Sequence, residues 1–414
     1  MTDALYDPFD ANVIADPYPH YSRLRRDAPV YEIAGTGMWA VSRHADVMAV
    51  LHDPAAFSSE AMAALVQGPA NFVDEPLDDE PRRSVIGTDG AEHARLRGIV
   101  SRGFTPTRIA SLESSMRATA RGLLAAMLDH EAVDLIADYA IPLPVTAIAE
   151  MLGIDADRRA DFRRWSDAMM LAVFEQPTTD QGREIAECLQ EISTFLAATM
   201  EEREREPGDD LISVLLRAEL EHGRLSRAEL ETFVITLLVP GSVTTTHLIG
   251  NALVALFADR DAFDWVASDA SLIPAVVEET LRFDAPVQLL PRLATRDVSL
   301  AGTTIPGGAI VLPLFGSANR DERVFPDADR FDVTRRPREH VAFGHGPHFC
   351  LGAALARLEA RVALEELFAM THDIRLDAPV TRVSSFVFRG PARLPATLTL
   401  GRRRGARPLV VRDA

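Results

Sequence analysis

Over most of the chain apolar residues recur every three to four positions, a spacing that predicts helices. The pattern places them at Tyr18–Arg26, Ala45–Leu51, His93–Phe104, Ile109–Leu128, Pro142–Leu152, Arg158–Phe174, Gly182–Arg205, Asp210–Leu220 and Ala353–Phe368. Two short runs alternate instead, Val30–Ile33 and Met38–Val41, and the AGTG between them makes a hairpin. The longest pattern opens on Ser226-x-x-Glu229, a capping box, and runs to about Asp259. It is apolar on nearly every face, so it is expected to be buried. Periodicity fails from Ser58 to Val85, where Pro69, Pro76 and Pro81 flank an acidic run and a surface loop is expected. The fold class read from this pattern is mainly α with small β-sheets.

Length alone, 414 residues, suggests two or three domains. No Gly/Ser/Pro-rich linker divides the chain, and the 47% of hydrophobic residues is spread evenly, so one domain over 1–414 is expected. Acidic residues outnumber basic ones, 61 to 43, for a net charge of −18, the reverse of a nucleic-acid binder. All the basic residues are arginine, a pattern that codon bias accounts for better than function. Two cysteines, Cys188 and Cys350, give no disulfide framework and suit a reducing cytoplasm. The N-terminus lacks a basic–apolar leader pattern, and no apolar run is read as approaching the roughly 20 residues of a membrane span. The expected location is cytoplasmic, with no membrane and no nucleic acid as partner.

The chemistry is concentrated in FGHGPHFCLG, Phe343 to Gly352. It sets Cys350 after a glycine-rich turn and before a helix, where free N–H groups and the helix dipole favour a thiolate. Gly344, Gly346 and Gly352 let backbone approach a flat ligand. The residue types suggest a pre-ionised sulfur serving as axial ligand to haem iron. They also permit a zinc site from His345, His348 and Cys350, although no further ligand pair stands at a matching spacing. A lone cysteine is also often only a small buried hydrophobe.

The stretch resembles the cysteine loop of the cytochrome P450 superfamily, Phe-Gly-x-Gly-x-x-x-Cys-x-Gly, with Phe343, Gly344, Gly346, Cys350 and Gly352 matching and His348 in the form usual in soluble bacterial members. The resemblance extends in order along the chain and implies the triangular, mainly helical haem-thiolate fold with haem b as cofactor. His93 and Arg97, four apart on one helix face, resemble the family's propionate pair, and Arg292 in LLPR resembles a third propionate donor beside His348. Glu279-x-x-Arg282 resembles the helix pair that supports the cysteine loop, with Arg330 as the implied third member.

The segment PGSVTTT resembles the oxygen-binding stretch of the central helix, where Gly241 and Thr244 match. Pro240 replaces a small residue and is expected to kink the helix. Val243 replaces the usual Asp or Glu, and a valine cannot move a proton. Ser242, Thr244, Thr245 or the substrate would then carry the relay, or peroxide would arrive with its protons. The residues from 244 to 246 also read as ordinary helix positions bonding back to carbonyls. Val243, Leu289, Leu290, Val387 and Phe388 are candidate pocket walls, and Gln176–Asp180 a candidate lid.

The reaction implied is insertion of one oxygen atom from O2 into an apolar small organic substrate, by hydroxylation, epoxidation or oxidative dealkylation. Electrons would come from a ferredoxin and its NAD(P)H-dependent reductase, docking near Arg95, Arg102, Arg357 and Arg361. The alternatives are a peroxygenase, and a haem-thiolate sensor with His247 as second axial ligand.

Overall fold

A computed structural model describes residues 5–62, 83–127, 130, 132–155, 158–174, 178–218 and 223–400. Most of the loop expected after Ser58, part of the expected lid at 176–180 and the tail beyond Leu400 lie outside the described residues.

The long helices are α1 Tyr18–Asp27, α2 His44–His52, α3 Gly90–Val100, α4 Glu113–Met127, α5 Pro142–Leu152, α6 Arg159–Phe174, α7 Thr179–Arg205, α8 Arg227–Ala258, α9 Arg260–Ser268, α10 Ile273–Phe283 and α11 Ala353–Met370. The expected helix over Ile109–Leu128 divides at Leu112 into a short turn, Pro106–Ser111, and α4. Helix α7 begins three residues before the expected Gly182. Thr178 and Gln181 form a reciprocal capping box there, which offsets the loop-like composition just upstream.

The capping box read at the head of α8 is formed: Glu229 N–H donates to Ser226 Oγ at 3.1 Å and Ser226 N–H to Glu229 Oε2 at 2.9 Å. The helix then continues through Pro240 to Ala258 as one element. Against expectation, Leu135–Leu152 and α8 are apolar enough and long enough to cross a membrane. Yet 67% and 59% of their apolar windows are buried inside the fold, as suits core helices.

The main core lies among α4, α5, α8, α10 and α11, with Leu124, Ile148, Leu253, Val277 and Leu364 at most 2% exposed. Gly241 explains one close approach: a Cβ there would stand 2.5 Å from the Ile148 terminal methyl of α5. Its absence of a side chain serves helix packing.

A five-stranded sheet stands to one side. It contains β1 Val30–Ile33, β2 Met38–Val41, β3 Phe57–Ser58, β5 Arg292–Ala294 and β8 Ile310–Pro313, in the order β1-β2-β8-β5-β3. The predicted hairpin is there, pairing Val30 with Val41 and Ile33 with Met38. Among the described residues only β2 and β8 pair in parallel. Smaller sheets use β4 Val133–Asp134, β9 Thr371–Leu376 and β12 Pro395–Leu400, with β6 Val298–Leu300 and β7 Thr303–Ile305 as one separate pair and β10 Thr381–Arg382 and β11 Pro391–Arg393 as another.

Candidate functional site: the cysteine loop and the donors facing it

The cysteine loop is tied at both ends. Val341 N–H donates to Asn319 Oδ1 at 2.7 Å, Gly344 N–H to Val341 O at 2.9 Å, and Cys350 N–H to Phe343 O at 2.9 Å. Gly346 has φ +70°, and a Cβ on it would lie 2.7 Å from the Leu51 carbonyl, so the turn admits only glycine without rearrangement. The Arg357 guanidinium sits 4.5 Å over the Phe343 ring and is itself held by Glu278.

Gly352 is the N-cap of α11. This places Cys350 two residues outside the cap. Burial pushes the Cys350 thiol up, and the Gly352 N–H with the charges of Arg97 and Arg357 pulls it back less than burial raises it. The protein groups alone therefore do not pre-ionise the sulfur, and a metal held there would take it as the thiolate.

Glu279 and Arg282, on one face of α10, are both fully buried. Every Arg282 N–H is used: two on Glu279 at 2.9 and 2.7 Å, and one each on the carbonyls of Asn319, Ala328 and Arg330 at 3.1, 2.8 and 3.0 Å. The third member differs from expectation. Arg330 supplies its carbonyl while its side chain is exposed, and Arg335 brings the second guanidinium, 3.2 Å from Glu279 Oε1. Asn319 then links this network to the cysteine loop through Val341.

Around Cys350 three separate stretches bring donors together. His93 on α3 is buried, and its Nε2 has no hydrogen-bond partner among the described residues. Its ring lies 4.1 Å from that of His348, centroid to centroid. Burial, then His348 and Arg97, pushes His93 down to about 4. Arg97 donates to the Phe349 carbonyl at 2.7 Å. Arg292 is buried at the head of β5, its one hydrogen bond among the described residues going to the adjoining Pro291 carbonyl, and burial depresses its basicity to about 10.

A buried arginine with no ion pair among the described residues is costly, as is an orphaned imidazole nitrogen. The set is built to receive negative charge. His348 donates instead to Asp89, at 2.9 Å. Burial would raise the Asp89 carboxyl, but Ser58, His348 and the Ser59 N–H outweigh it and hold it low. Sequence reasoning missed Asp89, although Asp-Gly just ahead of a helix is a readable cap position.

The zinc geometry is not formed. His345 is bonded to His52, 2.6 Å between Nδ1 and Nε2, and His348 to Asp89, so the three expected donors do not converge.

On α8 every hydroxyl from 242 to 246 bonds back along the helix. Ser242 Oγ donates to Leu238 O at 2.6 Å, Thr244 Oγ1 to Pro240 O at 2.8 Å and Thr246 Oγ1 to Ala140 O and Ser242 O at 3.0 Å, while Thr245 reaches Gly241 O only at 3.5 Å. Ser242 is buried with its proton committed, which weakens its place in a relay.

Val243 is a buried member of the main core. Leu289 and Val387 belong to the smaller core under the N-terminal strands, with Leu290 and Phe388 half-buried against it. Val287 and Phe388 are bridged, which brings the late loop to the chain just before β5. His247 is buried with Nδ1 unpartnered among the described residues, and its ring occupies the space a Cβ on Gly390 would need, 2.1 Å away. Burial holds it neutral, down to about 4. It packs on the C-terminal loop.

Of the four arginines read as a docking face, Arg95 is paired with Glu92 and Glu229, Arg357 with Glu278 and Arg361 with Glu113 and Glu365, while Arg102 is exposed. Three are committed within the fold. The physical reason is the excess of carboxylates on the helices beside them.

Cys350 and the donors facing it are satisfied together by a group that carries both a soft-ligand metal and carboxylates, and haem b is such a group. Fold and site together define the haem-thiolate class. A family model described as cytochrome P450 matches residues 160–369. The chain is 39% identical over 401 residues to a vitamin D(3) 25-hydroxylase of Pseudonocardia autotrophica, covering 95% of this chain and 96% of that protein. Cytochrome P450 CYP109Q5 from Chondromyces apiculatus superposes with TM-score 0.86 at 40% identity, covering 96% and 98% of the two chains. CYP109E1 from Bacillus megaterium in complex with testosterone gives 0.82 at 32% identity, covering 92% and 99%. The chain belongs to the cytochrome P450 family, and is a haem-thiolate monooxygenase.

Proposed function

We propose that the chain, as one domain over 1–414, inserts an oxygen atom from O2 into an apolar small organic substrate, with a proton supply altered by Val243. The observation that carries this is the state of α8. The acid position holds a core valine, while the neighbouring Thr244 keeps its hydroxyl on the Pro240 carbonyl.

Haem supplies oxygen activation when bound. His93, Arg97 and Arg292, with His348 nearby, would hold its carboxylates, and Cys350 its metal. Phe343 and Gly352 shape the turn around the sulfur. Because the Thr244 proton already points at Pro240 O, its oxygen lone pairs are what it offers the pocket. It therefore accepts a hydrogen bond there and holds a proton donor in place. The pocket lining, by this reading, includes Leu289, Leu290, Val387 and Phe388, all apolar.

The relatives named for vitamin D(3) and testosterone support a bulky apolar substrate. Electrons come from a ferredoxin and its NAD(P)H-dependent reductase in the cytoplasm. The second reading, peroxide as oxidant, is favoured by the same Val243, since peroxide brings its own protons.

The test is an optical titration of ferric protein with a panel of sterols, terpenoids and macrolides, followed by product analysis. A low-spin to high-spin shift followed by a product one oxygen heavier is expected. A panel that gives neither overturns the reading.

A further inference from the structure

The loop that carries Val387 and Phe388 leaves and returns at one place. Val383 N–H donates to the Gly390 carbonyl at 3.1 Å and closes its base. The Val387 and Phe388 N–H groups fold its tip onto Ser385 Oγ, at 3.2 and 3.1 Å. An arginine stands at each end, Arg382 before the loop and Arg389 after it. Both reach the same carboxylate, that of Asp284, which is buried at the C-cap of α10. A terminal nitrogen of Arg382 donates to Oδ2 at 2.8 Å, and Arg389 Nε donates to Oδ1 at 2.8 Å.

That carboxylate is fully engaged. Tyr18 of α1 donates to Oδ1 at 2.6 Å, and the Arg320 guanidinium lies 3.5 Å over the Tyr18 ring. Burial would raise the Asp284 carboxyl, but Arg382, Arg389, Tyr18 and Arg320 outweigh it and hold it low. A buried carboxylate is tolerable only with such partners. Arg389 is buried as well, and its other side-chain bonds among the described residues go to the Ala15 and Ile14 carbonyls, at 3.0 and 3.4 Å.

Further contacts direct this cluster at the pocket. Asn251 of α8 lies about two helical turns beyond Thr244, on the same face. It donates to the carbonyls of Asp284 at 2.8 Å and Arg389 at 2.9 Å, and accepts from Arg382 at 3.1 Å. Arg389 N–H donates to Pro286 O and Gln288 N–H to Val387 O, each at 2.8 Å. The loop is thus joined to the segment that leads on to Leu289 and Leu290. Between β10 and β11 its one bridge among the described residues is Phe388 with Val287, so side chains more than a sheet set its position. One carboxylate ties together the helix of Thr244, the segment of Leu289 and Leu290, and the loop of Val387 and Phe388.

We propose that Asp284 is a specificity-determining positioning residue: through Arg382 and Arg389 it sets how far the wall formed by Val387 and Phe388 stands from α8, and so the bulk of ligand the pocket admits. This rests on the reading of Val387 and Phe388 as pocket lining. Asp284 acts through the loop and touches no substrate. Neutralising it leaves two guanidiniums about an uncharged amide, and their repulsion loosens the loop at both ends.

The test titrates ferric holoprotein with imidazole, too small to meet the wall, and with clotrimazole, bulky enough to press on it, following the Soret band. In Asp284→Asn the imidazole dissociation constant should stay within about twofold of wild type while that of clotrimazole shifts by about tenfold or more, the worth of one charged hydrogen bond. Hydrogen exchange over residues 383–390 should quicken by roughly tenfold or more, with α11 unchanged. Arg382→Gln removes only the half-buried arm, should shift both readouts the same way by less, and decides the matter if Asp284→Asn does not fold. Equal shifts for the two ligands, or no shift for either, overturn the proposal. Val387→Ala and Phe388→Ala test the lining separately. If neither alters clotrimazole binding, the lining reading falls and takes this proposal with it; if they alter it while Asp284→Asn and Arg382→Gln do not, the proposal alone falls.

Discussion

Replacing Arg282 with Met keeps an apolar stem of similar length and removes a guanidinium whose five N–H groups are all bonded inside the fold. Glu279, fully buried, would keep only the Asp332 N–H at 3.0 Å and Arg335 at 3.2 Å. Breaking a buried pair from one side typically costs about 3–5 kcal/mol. The three carbonyls left behind, on Asn319, Ala328 and Arg330, would each add to that by roughly 1 kcal/mol or more if water does not reach them. The sum is a large share of the roughly 5–15 kcal/mol that separates folded from unfolded chains.

Damage is also directed. Arg282 holds the backbone of Asn319, whose side chain holds Val341, whose carbonyl holds Gly344 in the cysteine loop. Urea unfolding followed by circular dichroism, together with the haem content of protein purified with and without added haem, measures both effects. Expected are a loss of at least about 4 kcal/mol and substoichiometric haem. A loss below about 1 kcal/mol, with full haem content, would refute the view that this network is what fixes the loop.

Two further outcomes follow from the site. Arg292→Leu removes a buried cation whose only hydrogen bond among the described residues is to its neighbour's carbonyl, so it should leave the apoprotein as stable or more stable while weakening haem retention about tenfold or more in transfer to apomyoglobin; unchanged retention would remove Arg292 from the carboxylate set. Burial raises Glu359 of α11 from 4.5 to about 8 in the fold, so the folded state holds a proton that the unfolded chain has released. Its contribution is fully present below about 4.5 and is lost as pH rises through about 8, a difference on the order of 5 kcal/mol at about 1.4 kcal/mol per unit. Glu359→Gln should therefore flatten the fall in urea stability between those pH values, and an identical pH profile in both proteins would contradict the burial argument.

Much of the molecule was legible because its signals are local. A capping box is satisfied within three residues, so Ser226 and Glu229 announced the head of α8 before any packing was known. The glycine spacing around Cys350 marked a tight turn, and His93 with Arg97 declared one face of a helix. The family resemblance drew on the same short stretches, and the mainly α fold with its hairpin followed from periodicity.

Where distant segments meet, tertiary structure made the decision. Arg330 and Arg335 look alike in sequence, yet the backbone path after Ala328 exposes the first side chain and brings the second to Glu279. Gly241 reads as a glycine of an oxygen site, but its immediate steric reason is Ile148 on another helix. Asp89 gained its role only when α3 was laid beside the cysteine loop, and three of the four docking arginines met their carboxylate partners only in the folded chain. Cys350 stands just before a helix, yet burial in the folded chain pushes its thiol up. Sequence spacing determines what a residue can do with neighbours three or four positions away. Charge state, partner and exposure depend on desolvation and on groups a hundred residues distant, and only the folded chain brings those together.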